Sequence, residues 1–258
     1  MYLLHLQLPG IGSAAESADA TETKFRKTNI KPGAGEAALL EPWEMLWLPW
    51  AGAAGVLQAG LVPPLVLKVK TELDEVVELI LATLCSCLRV EASVALAAGA
   101  VAVLKEKLTH PSAAIRSKAA SVLLEISSHP EGKIAVCEED VIPVLVSLLE
   151  DTDPEVQASA AGALMFAMVT PQGRSWALGA EALPALLRLV GAGGSPARLN
   201  ALRALALLAE LPAGRAALQE HTGTVRQRLR DPSRAVQRAA LSALRAIEWK
   251  PFCSRDLF

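Results

Sequence analysis

Five leucines, Leu84, Leu123, Leu164, Leu205 and Leu244, return at a nearly constant interval of about 40 residues. A second marker keeps the same beat: Gly132-Lys133, Gly173-Arg174 and Gly214-Arg215 recur in step with the leucines, as do Pro143 and Pro184. A helical unit of this length cannot bury its apolar face alone and does so only against the units on either side. The chain must therefore form a stack, and the recurring residues are candidates for contacts between units.

Ala, Leu and Val carry most of the 52% hydrophobic content, while aromatic residues make up 4%. That balance suits close helix packing rather than a β-sandwich and makes the fold all-α. The local grammar is clearest over residues 131–171. A short helix follows Gly132-Lys133, and Pro143 opens a second helix through Glu150, because proline at the first helical position lacks an N–H that would have no partner there. Asp151-Thr152-Asp153-Pro154 is then a turn in which Asp153 accepts from the free amides of a third helix and Pro154 sets its first φ. This start signal recurs at Asp231-Pro232 and, more loosely, at His110-Pro111 and Ser195-Pro196. Three helices per unit favour an armadillo-type α-solenoid, a superhelix of three-helix repeats, over the two-helix HEAT form. Val156, Ala160, Ala163, Leu164 and Ala167 share one face of the third helix, as do Ile115, Ala119, Val122, Leu123 and Ile126 one unit earlier. The pairs Ala119-Ala120, Ala160-Ala161 and Ala239-Ala240 let backbones approach to about 8 Å.

Residues 1–40 carry no repeat phase and collect Ser, Ala, Thr, Gly and charge, the composition of a mobile leader. Residues 41–251 hold about five units, at 42–88, 89–130, 131–171, 172–212 and 213–251, and residues 252–258 form a tail. The apolar opening, residues 1–9, has neither the basic stretch nor the cleavage site of a signal peptide. Residues 45–67 are uncharged but interrupted by Pro49, Pro63, Pro64 and glycines, and Gly60-Leu61-Val62-Pro63 matches the phase of Val141-Ile142-Pro143. This run is expected to be a degenerate repeat rather than a membrane span.

A net charge of -2 gives no basic field for nucleic acid. Residues 214–250 nevertheless hold eight basic residues against three acidic ones, a local excess of five positive charges. Arg226, Arg230, Arg234 and Arg238 fall along one side of two successive helices. They are either a solvated face that keeps the end of the stack soluble or a site that docks an acidic partner surface.

No motif for catalysis has its context. Gly33-Ala34-Gly35-Glu36-Ala37-Ala38 and Gly191-Ala192-Gly193-Gly194 resemble nucleotide loops but follow no apolar strand, and Gly132-Lys133 lacks the Ser or Thr of a P-loop. Ser127-Ser128-His129 has no oxyanion loop or placed carboxylate, and Glu138-Glu139-Asp140 clusters at an inter-helix turn. His5, His110, His129 and His221 lack metal-ligand spacing, and Cys85, Cys87, Cys137 and Cys253 suit buried thiols in a reducing compartment. No catalytic residue, metal or cofactor is expected, and no small-molecule substrate, nucleic acid or membrane.

The segments that carry the period also resemble a known family. Gly60-Leu61-Val62-Pro63, Asp140-Val141-Ile142-Pro143-Val144-Leu145-Val146, Val156-Gln157-Ala158-Ser159-Ala160-Ala161-Gly162-Ala163-Leu164-Met165, Leu211-Pro212-Ala213-Gly214-Arg215 and Ile247-Glu248-Trp249-Lys250-Pro251 occur in collinear order. Over residues 48–251 the chain is similar to the radial spoke head 14 family of armadillo-repeat proteins. The resemblance implies a non-enzymatic component of the radial spokes of motile cilia and sperm flagella, which relay signals from the central microtubule pair to axonemal dyneins. Its partners would be other radial spoke or axonemal proteins, and its place the cytoplasm, cytoskeleton and axoneme. It also implies further armadillo repeats ahead of the matching region, where residues 1–40 here have no repeat phase. The alternative is an armadillo-type cofactor that promotes nucleotide exchange on Hsp70, or another cytosolic adaptor. An importin-like adaptor would carry Trp and Asn ladders on its third helices, where this chain has Ser121 and Glu125, Gly162 and Phe166, Arg203 and Leu207.

Overall fold

The computed structural model describes residues 48–249, with side chains from Gly52 onward. It divides at Leu61 into two units, Met1–Leu61 and Val62–Phe258. In the first, the described residues form one helix, α1 (Leu48–Gln58). The second holds α2 (Val62–Lys68), α3 (Asp74–Leu88), α4 (Ser93–Ala97), α5 (Ala100–Lys107), α6 (Ala113–Ser128), α7 (Pro130–Glu138), α8 (Ile142–Leu148), α9 (Pro154–Ala167), α10 (Pro171–Gly179), α11 (Ala182–Ala192), α12 (Ser195–Leu208), α13 (Pro212–Gln219), α14 (Thr222–Gln227), a 3₁₀ turn (Arg228–Arg230) and α15 (Arg234–Glu248). There is no strand among the described residues, and no helix long and apolar enough to cross a membrane. The expected leader (1–40) and tail (252–258), with His5, Cys253 and the Gly33 loop, lie outside the described residues.

From α4 onward the helices fall into triplets of two shorter helices and one long one: α4–α6, α7–α9, α10–α12 and α13–α15. The long third helices α3, α6, α9, α12 and α15 pack side by side in chain order, and each second helix packs on the third helix that follows it. The turn into the second helix is left-handed at Gly60, Gly99, Asp140 and Glu181, one repeat apart, with φ of 65°, 72°, 51° and 55°. The last unit is the exception, because Glu220 and His221 both keep negative φ there. Only glycine adopts the left-handed region without steric cost, so the repeat imposes a strained backbone on Asp140 and Glu181.

All five recurring leucines are buried, none more than 5% exposed, and so are both apolar stripes named from the sequence. Gly162 shows how tightly the row is packed. A Cβ there would lie 2.8 Å from Leu124 Cδ1 and 2.9 Å from Asn200 Nδ2, on the helices to either side. Complete burial of each such leucine contributes about 1.5–3 kcal/mol.

Helix starts differ from expectation in several places. Asp153 does cap α9, accepting from the amides of Glu155 (2.7 Å) and Val156 (3.2 Å), with Pro154 at the first position. The other three signals carry no side-chain cap: α15 begins after Ser233, α6 after Ser112 and α12 after Gly194. Asp231 is the counterpart of Asp151, two repeats earlier, and not of Asp153, and its carboxylate faces Arg198 instead of the helix amides. α7 begins at Pro130, ahead of Gly132-Lys133, and α8 ends at Leu148, short of Glu150.

Candidate protein-docking surface

Two recurring devices join the units and define the surface they present. The first uses one position near the start of each third helix, occupied in successive repeats by Arg116, Gln157, Arg198 and Gln237. Arg116 donates to His110 O (2.9 Å) and Pro111 O (2.8 Å) in its own turn, and reaches the next unit through Nε to Asp151 Oδ2 (2.7 Å) and Nη2 to Oδ1 (3.0 Å). Gln157 instead donates to Asp151 O (2.7 Å) in its own turn, and the next unit carries Ala192 where Asp151 stands. The pattern then repeats. Arg198 donates to Gly193 O (2.9 Å) and places Nε 3.1 Å from Asp231 Oδ2, and Gln237 donates to Asp231 O (2.7 Å). The Arg198–Asp231 approach is an ion contact without hydrogen-bond direction, inside a site where the Asp231 side chain is 1% exposed. The bidentate bond from Arg116 holds the Asp151 carboxyl below the usual carboxylate range and raises the arginine in return.

The second device explains the Gly-Lys/Arg beat. A Cβ at Gly132, Gly173 or Gly214 would run into the carbonyl of Ile126, Ala167 or Leu208 at the end of the preceding third helix. The basic neighbour then satisfies carbonyls that have no intrahelical partner. Lys133 donates to Ser128 O (3.0 Å), Arg174 to Met168 O (3.2 Å) and Val169 O (3.1 Å), and Arg215 to Ala209 O (2.9 Å). Each also reaches forward to the next third helix or its end: Lys133 lies 5.9 Å from the Phe166 ring, Arg174 3.1 Å from Glu210 and Arg215 4.6 Å from the Trp249 ring. These basic groups are spent on helix ends and neighbouring units, which accounts for them without a phosphate.

With those groups committed inward, the third helices leave a graded surface. Asp74 and Glu75 are exposed at the start of α3. Lys118 of α6 then pairs with Glu78 (3.4 Å) and Glu125 with Arg89 (3.0 Å), while Ser121 and Ser159 meet at 3.0 Å and Asn200 donates to Ala158 O (3.1 Å). Arg203 is exposed on α12, and Arg238 and Arg245 on α15, where Arg234 stands at the helix start. The row thus runs from acidic to basic, and several of the positions tested for a peptide-binding ladder are occupied by these helix-to-helix contacts.

The four arginines singled out in the sequence split into two pairs. Arg226 and Arg230 line one shallow depression with Gly223, Gln227 and Leu229. Arg226 also pairs with Glu248 at 2.7 Å with its side chain 62% exposed. Arg234 and Arg238 sit one turn apart on α15, with Arg238 Nε 3.4 Å from Arg234 O. Neither Arg234 nor Arg238 lines that depression. Arg245, one of the eight basic residues of 214–250 but not one of those four, lines a second depression with Glu210, Arg215 and the half-exposed Trp249.

The residues that invited a chemical reading are accounted for locally. Ser127 and Ser128 donate to Leu123 O and Glu125 O (2.7 Å each), and His129 Nε2 lies 2.9 Å from Leu88 O, one repeat back. The Glu138-Glu139-Asp140 group is exposed where α7 ends. Cys87 and Cys137 are buried but Cys85 is only half-buried, and burial pushes all three thiols up. Among the described residues no three His, Cys, Asp or Glu side chains converge as a metal site would require.

Residues 101–206, from α5 into α12, match a model of HEAT repeats. Among solved structures, the chain is similar to an engineered protein from the Northeast Structural Genomics Consortium at 28% identity and a TM-score of 0.71, over 76% of this chain and 84% of that one. A designed armadillo repeat protein matches at 22% identity and a TM-score of 0.71, over 76% and 86% of the two chains. A second, solved in complex with the peptide (KR)4, matches at 22% identity and 0.69, over 76% and 85%. The chain is an armadillo-type repeat solenoid. The HEAT-repeat match runs from the second helix α5 to the third helix α12 and includes the first helices α7 and α10. Solenoids of this kind typically serve as protein-binding scaffolds.

Proposed function

We propose that this solenoid is a non-enzymatic scaffold in the radial spokes of motile cilia and flagella, holding other spoke or axonemal proteins on the face made by its third helices. The observation that carries the docking role is the continuous third-helix row, whose exposed charge passes from acidic at α3 to basic at α15. A designed armadillo relative held a (KR)4 peptide. The α15 end of this chain is itself basic, so Arg234 and Arg238 of α15, with Arg226 of α14 and Arg230 of the 3₁₀ turn before it, select an acidic partner segment. The axonemal setting, with cytoplasm and cytoskeleton as its compartments, rests on the collinear segments shared with the radial spoke head 14 family.

Proximity labelling in ciliated cells, with the chain tagged at its C-terminus, tests the placement. Spoke proteins should dominate the labelled set, and a chain abundant in cytosol yet absent from demembranated axonemes would defeat it. Reversing the four arginines to Glu should weaken capture of the labelled partners by about tenfold or more at low salt, with a smaller difference at high salt.

A further inference from the structure

The turn Gly191-Ala192-Gly193-Gly194 leads into α12, and the Ser195-Pro196 pair that follows has no part in the contacts described so far. Gly193 and Gly194 are extended, with φ/ψ of -67°/161° and -62°/165°. Ser195 and Pro196 are exposed, and the Ser195 hydroxyl makes no hydrogen bond among the described residues. The chain holds one other hydroxyl followed by proline, at Thr170-Pro171. That one is occupied: Thr170 Oγ1 donates to Ala167 O (2.9 Å) and accepts from the Gly173 amide (3.0 Å), and the residue is half-buried.

Cations stand beside the free hydroxyl. Arg198, one helical turn on, leaves its Nε without a hydrogen-bond partner. Contacts between third helices join residues 38 to 42 apart in sequence. Arg234 of α15 stands at that interval from Ser195, exposed and without an ion pair among the described residues. At the position of Ser195 the other third helices carry Asp74, Ala113, Pro154 and Arg234, so this hydroxyl occurs once in the stack.

We propose that Ser195 is a phosphorylation site for a proline-directed protein kinase, with its phosphate held by Arg234 and Arg198. Proline suits the position after the acceptor because it has no N–H to leave unpaired in the kinase groove. Ser195 Oγ bonds to the γ-phosphorus of ATP as the bond to the ADP oxygen breaks, and the hydroxyl proton passes to the base of the kinase. The phosphate adds about -1.5 to -2 charge and accepts charge-assisted bonds from guanidinium groups. It thereby engages one of the four arginines assigned to the acidic partner and weakens that docking. This consequence rests on the proposed docking role, whereas the site itself does not.

Incubating the full chain with ATP and a kinase of the cyclin-dependent or mitogen-activated class, then mapping the product by mass spectrometry, tests the site. One phosphoryl group should enter at Ser195, and none in the Ser195→Ala chain. In phosphorus NMR the phosphoserine should titrate at a pH about 0.5 or more below that of a phosphopeptide of residues 190–202, and Arg234→Ala should bring it back towards the peptide. A native chain that stays unmodified, one modified at Thr170 as readily as at Ser195, or a phosphoserine that titrates as in the peptide would each overturn the proposal. Binding of a polyglutamate peptide at low salt reads the consequence separately. It should fall about threefold or more on phosphorylation, and binding that phosphorylation leaves unchanged would overturn the regulation. An unmodified chain that does not bind the peptide counts against the docking role alone.

Discussion

Replacing Asp151 by Ala tests whether the units are locked together or merely adjacent. Its carboxylate accepts two bonds from Arg116 across the unit boundary and one from the Asp153 amide (2.9 Å), and the Arg116 and Asp151 side chains are 16% and 7% exposed. Removing one partner of a buried pair costs about 3–5 kcal/mol, chiefly through the charge left behind. Arg116 keeps its bonds to His110 O and Pro111 O and some access to water, which places the expected loss near the lower bound, about 3 kcal/mol. Urea unfolding followed by circular dichroism reads it as a lowered midpoint. Arg116→Met with Asp151→Ala should cost less than the two singles together, with a coupling of about 1–3 kcal/mol. A loss within about 0.5 kcal/mol of zero would reduce the lock to an ordinary surface bridge and refute the reasoning. The pH dependence has a definite sign. Because the folded carboxyl is held below its unfolded value of about 3.9, the unfolded chain binds more protons in acid. The contribution of Asp151 is complete above that value and is lost as pH falls through the folded one, so Asp151→Asn should flatten the stability profile below about pH 4.

Gly173→Ala forces a Cβ into the Ala167 carbonyl and should lower stability by about 1–3 kcal/mol or more in the same urea assay, while Gly179→Ala, with open space around it, should not. Asp140→Gly and Glu181→Gly relieve the left-handed backbone and should each leave stability unchanged or raise it by up to about 1 kcal/mol, read as an increase in midpoint. Leu164→Ala or Leu205→Ala, both wholly buried, should cost about 2–5 kcal/mol in thermal or urea unfolding. In a Cys253→Ser background, Cys87 and Cys137 should resist a thiol reagent at neutral pH until the chain unfolds, with the half-buried Cys85 reacting first among the three.

The stack was legible because its chief cause is periodic. Each recurring leucine and alanine sits where a neighbouring helix arrives, so a spacing in the sequence is a contact in space. Residues whose role depends on a partner in the next unit were not legible in the same way. Arg116, Gln157, Arg198 and Gln237 keep the period, yet nothing in one unit alone tells that the arginine crosses to the next turn while the glutamine stays. Gly132-Lys133 marked the beat correctly, but its purpose is set by carbonyls at the end of the preceding helix. Asp231-Pro232 looked like Asp153-Pro154 because the dipeptides are identical; the register differs by two positions, which sends one carboxylate to helix amides and the other to an arginine. Asp140 and Glu181 concealed the glycine position of the left-handed turn. The arginines of α14 and α15 were visible as a charge excess, but Arg226 proves to be paired with Glu248 and Arg245 joins the exposed set.

Ser121 and Ser159 lie on successive third helices with their hydroxyl oxygens 3.0 Å apart, which offers a direct reading of the helix row. In a chain with its native cysteines replaced, Ser121→Cys/Ser159→Cys should close to a disulfide under mild oxidation, while Ser121→Cys/Arg203→Cys, one helix further along, should not. Failure of the first pair to cross-link, or equal cross-linking by the second, would contradict a row of third helices stacked unit on unit.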